Sequence, residues 1–342
     1  MSAGTQPIDY SDLYTELLNR TRSVTGVTAV TNQAKRYINM ALQDMVMGFE
    51  YKMPWLERTA ILRTHNDYST GTVSISRGST TLTGDSTAWT TANSYGENNA
   101  RTTGKLILAG GVDIYTISAV GGATTITLND RYVADSDLAA GSTYIYFEDE
   151  YALASDFLKP IDFRIFSQAS NIELISRNDF RRRYPRPNVG GTPTLATLLD
   201  IGFGTTTTPV IRVQLYPYPT TELLIPYSYI TANLAVSAAG VAAVSLSSDT
   251  DEPNMPLRYR PGIVLKALAA WYRDKKDDAR EQSAMQEYVS FTTRVVEDQN
   301  MGAPTRAQLQ VDMRSAHSFR KRPYKGSGRG YSTNNSFDDF RT

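Results

Sequence analysis

The sequence predicts an α+β protein: a helical unit built from both chain ends, an inserted β-rich domain, and an extended C-terminal tail. Three observations predict it. Apolar residues recur at helical spacing before Pro54 and again after Pro261. Between them, Gly71 to Phe147 is dense in Thr, Ser, Val, Ile and Gly with hairpin-like arms. Beyond Gly302 the periodicity fades into Gly, Ser, Arg, Asn and scattered aromatics.

Taken in order, Ile8 to Arg20 sets Leu13, Leu17 and Leu18 on one side of a first helix, with Tyr10 and Tyr14 adjoining. After a loop at Gly26, Thr31 to Met47 carries Ala34, Tyr37, Ile38, Ala41, Leu42, Met45 and Val46 at helical spacing. Thr31 or Asn32 suits its N-cap, Gly48 its terminator, and Pro54 blocks continuation. Residues 1–55 are therefore read as the N-terminal helical part. Leu56 to Arg63 reads as a strand.

Residues 56–149, with a core at about 71–147, read as the inserted β-module. TVSISRGSTTLTG (Thr72–Gly84) and YTISAVGGATTITLND (Tyr115–Asp130) each pair two β-rich arms around a Gly-containing turn. LAVSAAGVAAVSLSS (Leu234–Ser248) is a looser echo. Residues 150–248 read as mixed and mostly β. There VIRVQLYPYP alternates, while Pro217, Pro219 and Pro226 point to strand ends, edges or loops. Residues 249–302 read as a helical hairpin packing on the N-terminal helices. Ile263, Val264, Ala267, Leu268 and Trp271 form one stripe, and Ala284, Tyr288, Phe291 and Val295 the other. Residues 303–342 read as an extended tail that docks on a partner.

The composition narrows function. Thirty-five Lys+Arg balance 35 Asp+Glu, which gives no global argument for a polyanionic partner and leaves only local patches. Without Cys there is no disulfide framework, thiolate nucleophile or cysteine-ligated metal. His65 and His317 are too far apart for a local metal motif. A phosphate loop at Gly104-Lys105 fails, because Asn99 and Leu106 occupy the positions of the first glycine and the hydroxyl residue. GSGRG (Gly326–Gly330) follows no strand and reads as linker. The acidic groups Glu148-Asp149-Glu150 and Asp249, Asp251, Glu252 read as solvated turn or helix-start acids, not as a glycosidase pair or calcium loop. No catalytic residue, cofactor site or metal site is assigned. MSAGTQPIDY has no basic flank and apolar run, and no stretch approaches bilayer-spanning length, so neither a leader nor a membrane span is expected.

Two basic, aromatic-laced segments stand out. Arg181, Arg182, Arg183 and Arg186 surround Tyr184 and two prolines, a pattern that suits DNA or inter-subunit contact. The tail interleaves Arg314, Arg320, Lys321 and Arg322 with Phe319, Tyr324, Tyr331, Phe337 and Phe340. Aromatics are wasteful in a purely solvated linker, so these residues are read as partner-docking anchors.

An ordered set of segments resembles the head-to-tail adaptor (connector) proteins of tailed bacteriophages. They are the N-terminal helix pair ending at Trp55, TVSISRGSTTLTGDSTAWT, GKLILAGGVDIYTISAV, TTITLNDRYV, EYALASDFLKPIDF, NDFRRRYPRPNVGGTPTLATL, VIRVQLYPYP and EPNMPLRYRPGIVLKALAAWYRDKKDD. The resemblance implies a structural protein of the virion neck, made in the host cytoplasm. It implies a dodecameric ring on the portal protein that joins it to tail or nozzle proteins, with genomic DNA passing through the lumen, and no catalysis. The alternative is a tail or fibre-attachment protein that binds a receptor or glycan through the β-insert.

Overall fold

Helix signals near the N-terminus translate directly into two helices. The computed structural model describes residues 8–24, 26–48, 53–93, 96–109, 111–165, 170–185, 187–199 and 210–301. In it α1 spans Tyr10–Thr21 and α2 spans Thr28–Gly48. Asp9 caps α1 by accepting from the Asp12 amide at 2.9 Å, and the helix closes where Arg22 turns left-handed at φ 52°. Helix α2 starts one turn earlier than the expected cap at Thr31 or Asn32, and it buries Ala34, Ile38, Ala41, Leu42, Met45 and Val46.

The strands follow. They are β1 (Glu57–Arg63), β2 (Thr72–Ile75), β3 (Thr81–Asp85), β4 (Lys105–Leu108), β5 (Ile114–Gly122), β6 (Thr125–Leu128), β7 (Leu138–Ser142) and β8 (Tyr144–Phe147). Strands β2 to β8 make one curled antiparallel sheet in the order β7-β2-β3-β6-β5-β4-β8. Its short strands alternate half-buried and buried residues, the period-2 signature of a sheet with one packed face. Val73, Ile75, Leu82, Leu106, Ile117, Ile126 and Leu128 fill that core around Trp89. The Trp89 indole donates to Tyr144 OH at 2.9 Å, and that hydroxyl donates to the Thr70 carbonyl at 2.8 Å, so the buried polar atoms are satisfied.

Next come β9 (Glu150–Ala152), β10 (Phe157–Ile165), β11 (Ser170–Asn171), β12 (Glu173–Leu174), α3 (Arg177–Arg183), β13 (Gly190–Gly191), β14 (Leu195–Leu199), β15 (Arg212–Tyr216), β16 (Tyr218–Pro219) and β17 (Leu224–Thr231). Two four-stranded sheets, β1-β17-β10-β11 and β12-β14-β15-β9, share a core of Leu62, Phe163, Ala196, Val213, Leu215, Ile225 and Tyr227. The chain ends its described part with β18 (Ala235–Val236), β19 (Ala242–Ala243), β20 (Glu252–Pro253), α4 (Pro261–Asp274) and α5 (Asp278–Met301). Pro261 opens α4 at its first turn, where a missing amide costs nothing.

Two compact units result. One gathers the described residues of Met1–Trp55 and Asn233–Thr342, the other Leu56–Ala232. In the first, the buried Arg260 guanidinium ties the chain together. It donates to the carbonyls of Ile8, Met255 and Pro253 and pairs with Glu252 at 2.8 Å.

The expected fold class is corrected. The described residues are 33% strand against 31% helix, with a curled seven-stranded sheet and only five α-helices. The protein is mostly β, not a helical unit with a β insert. Helices announce themselves locally through 3.6-residue spacing. Strand content here depends on pairings such as β1 with β17, more than 160 residues apart, which no local pattern reveals.

Pro226 also departs from its expected edge position, since it lies in β17, a central strand. The Thr64 amide donates to the Leu223 carbonyl, so odd-numbered β17 residues bond toward β1 and the Pro226 nitrogen faces β10. The β10–β17 register ends at Phe163↔Tyr227, one residue short of Pro226. The missing donor therefore falls where the ladder has already lapsed.

Candidate functional site

Two charged features stand out in the Leu56–Ala232 unit. The first is a buried ionic node where β8 runs into β9. Successive residues of an extended chain face opposite ways, so Glu148 and Asp149 are sent to different partners. Glu148 accepts from Arg101 Nε at 2.6 Å and from Tyr146 OH at 2.5 Å, while His65 Nε2 lies 3.9 Å from its other oxygen. Asp149, fully buried, is met by Lys105 Nζ at 2.7 Å and by Gln214 Nε2 at 2.7 Å. Lys105 also reaches Glu150 at 2.7 Å.

Electrostatics follow from this geometry. Burial pushes the Lys105 ammonium down, but the Asp149 and Glu150 carboxylates more than offset it and hold its pKa above the usual lysine value. Burial raises the Tyr146 phenol, and the Glu148 charge adds to this, so it stays a donor. Burial lowers the His65 pKa against the opposing pull of Glu148 and Glu97, the latter 2.8 Å from Nδ1. The reading of Glu148-Asp149-Glu150 as solvated turn acids is corrected, since Glu148 and Asp149 are both buried. Asp251 is likewise buried, accepting from the Ser247 and Ser248 amides at 2.7 Å each.

Chemically, the node is a lock. The carboxylates of Glu148 and Asp149 are each engaged by a cation and a neutral donor, an arrangement that joins β4 and β8 of the large sheet to β9 and β15 of the smaller one. The partners His65, Arg101, Lys105 and Gln214 escaped the sequence reading because each lies far along the chain from the acids. Among the described residues, no group of three or more His, Asp or Glu is placed to hold a metal ion.

The second feature is the arginine helix. Ser176 caps α3 by accepting from the Asp179 amide at 3.1 Å, and Phe180 is its buried anchor. Tyr184 closes the helix through its amide to the Phe180 carbonyl at 2.8 Å and lies on the Tyr216 ring, centroids 4.0 Å apart. Arg181, Arg182 and Arg183 are all exposed on this anchored turn. Arg182 returns to Asp179 at 2.8 Å. Arg186 lies outside the described residues, as do all the tail positions singled out: Arg314, Phe319, Arg320, Lys321, Arg322, Tyr324, Tyr331, Phe337 and Phe340.

The described helices include none long and apolar enough to cross a membrane. A family model described as SU10 adaptor protein matches residues 114–311. No curated protein matches the chain.

Proposed function

Because the chain belongs to the SU10 adaptor protein family, a family of structural phage adaptors, we propose that it forms the ring that joins the capsid portal to the tail. The protein is a phage adaptor and hence a virion component. In our reading it sits at the neck, assembles as a dodecamer on the portal, contacts tail or nozzle proteins and lets genomic DNA pass through its lumen. The observation that carries this is the family match, which runs from β5 through α5. The ionic node supports a structural role, since its buried carboxylates are committed to holding sheets together.

We further assign residues 303–342 to portal docking. Their aromatics and basic residues suit a segment that orders on a partner, where repetition around a ring adds avidity. The test is reconstitution with purified portal, read by cryo-electron microscopy and native mass spectrometry. Ring density with one copy per portal subunit is expected, as is a loss of at least tenfold in portal affinity on truncation after Gly302. Absence of a complex at micromolar concentrations would overturn the portal reading; binding of host surface glycan by the isolated protein would favour a tail-attachment role.

A further inference from the structure

We infer that the exposed last turn of α3 is a contact surface for the phosphate backbone of duplex DNA, carried by Arg181 and Arg183. Five of the chain's 35 basic residues, all Arg, fall within the ten positions 177–186 of a protein whose net charge is zero. Such local concentration needs a cause. Helix C-termini favour cations, but the partial charge there is only about half an electron, and three consecutive arginines exceed what it attracts.

The geometry adds a direction. Phe180 is turned into the core, so at about 100° per residue Arg182 points most nearly away from it, while Arg181 and Arg183 leave the helix on opposite flanks, and all three are exposed. Arg182 is answered by Asp179. Among the described residues, no carboxylate lies within ion-pair distance of Arg181 or Arg183. The platform is rigid, because Phe180 is buried, Tyr184 lies on Tyr216, and the Tyr218 amide bonds the Val189 carbonyl at 3.0 Å just beyond. The backbone that carries the arginines is therefore held in place.

Arginine presents a planar fork that matches phosphate. An acidic side chain on a neighbouring protein would answer one guanidinium. A duplex, with one charge per roughly 1.7 Å of axis counted over both strands, answers diverging guanidiniums without needing a dedicated acid for each. The inference adds to the reading of the protein as a DNA conduit a specific place of contact, and it rests on that reading for the availability of DNA.

The experiment measures binding of the full chain to a labelled 20-base-pair duplex by fluorescence anisotropy across a salt series. It compares wild type with Arg181→Ala/Arg183→Ala and with Arg181→Lys/Arg183→Lys. The alanine pair is expected to weaken binding roughly tenfold at low salt and to cut the slope of log Kd against log salt by about two. The lysine pair, which keeps charge, should retain most of the slope. Thermal melting confirms folding, and portal binding by the alanine pair is measured alongside. Loss of DNA affinity with portal assembly intact supports the inference. No duplex binding by wild type, or binding unchanged in the alanine pair, overturns it. Loss of self-association with DNA binding unchanged also overturns it and marks α3 as an inter-subunit contact. Failure of wild type to bind portal would sink the neck reading without touching the arginine dependence of DNA binding.

Discussion

Asp149 shows how much one buried charge demands of its surroundings. It has no solvent exposure, and its compensation comes from Lys105 and Gln214. Removing one partner of a buried pair leaves an uncompensated charge, which costs about 3–5 kcal/mol. Lys105→Met should lower unfolding free energy by that amount in urea titrations, whereas Lys105→Met combined with Asp149→Leu should recover most of it. Equal loss in the single and double variants would contradict the pairing argument. His65 gives a pH dependence. Burial holds its folded pKa below the ordinary 6.5, helped by Arg101 and Arg63 and opposed by Glu148 and Glu97. The unfolded chain then takes up a proton near 6.5 while the folded chain resists. Stability is full above that pH and falls as pH drops below it. Against wild type, His65→Gln should flatten the decline in urea midpoint between pH 6.5 and about 5. An unchanged slope would show that His65 does not titrate differently on folding.

At the scale of the element, the approach to β4 is set by a glycine. A Cβ at Gly104 would lie 2.1 Å from Tyr146 Cε2, and Tyr146 is fully buried and fixed by its hydrogen bonds to Glu148 and from the Arg101 amide. Alanine normally stabilises a chain by reducing its unfolded freedom, by about 0.4–1 kcal/mol. Here overpacking against an immobile ring outweighs that, at about 1–3 kcal/mol. Gly104→Ala should therefore lower the urea midpoint, and Gly104→Ala with Tyr146→Phe should not rescue it, because the ring remains. A midpoint at or above wild type would show that Tyr146 yields.

For the whole molecule, the seven-stranded sheet has its own core yet is bound to its neighbour sheets. Arg101 and Lys105 belong to its segment, while their partners Glu148, Asp149 and Glu150 lie just beyond it. Phe147 stacks on Tyr218 at 4.2 Å. Replacing residues 71–147 by a Gly/Ser linker should thus unfold the rest of the Leu56–Ala232 unit by stranding Glu148 and Asp149 without their cations. Limited proteolysis of that variant should cut within 150–231; protection of this stretch would show that the sheets are independent.

The features legible in the sequence are those encoded locally. Leu13 and Leu17, Ala34 to Val46, and Ile263 to Trp271 carry their helical spacing in a single turn-to-turn pattern, and the arms of Thr72–Gly84 and Tyr115–Asp130 carry their hairpins the same way. The arginine run at α3 was visible for the same reason, as was the ordered set of segments that marked the adaptor family. The balance toward β, the tolerance of Pro226 in a central strand, and the burial of Glu148 and Asp149 emerge only when the chain has folded. Those depend on partners such as β10, Arg101, Lys105 and Gln214, and no residue's local pattern states which distant chain will arrive beside it to pair its backbone or neutralise its charge.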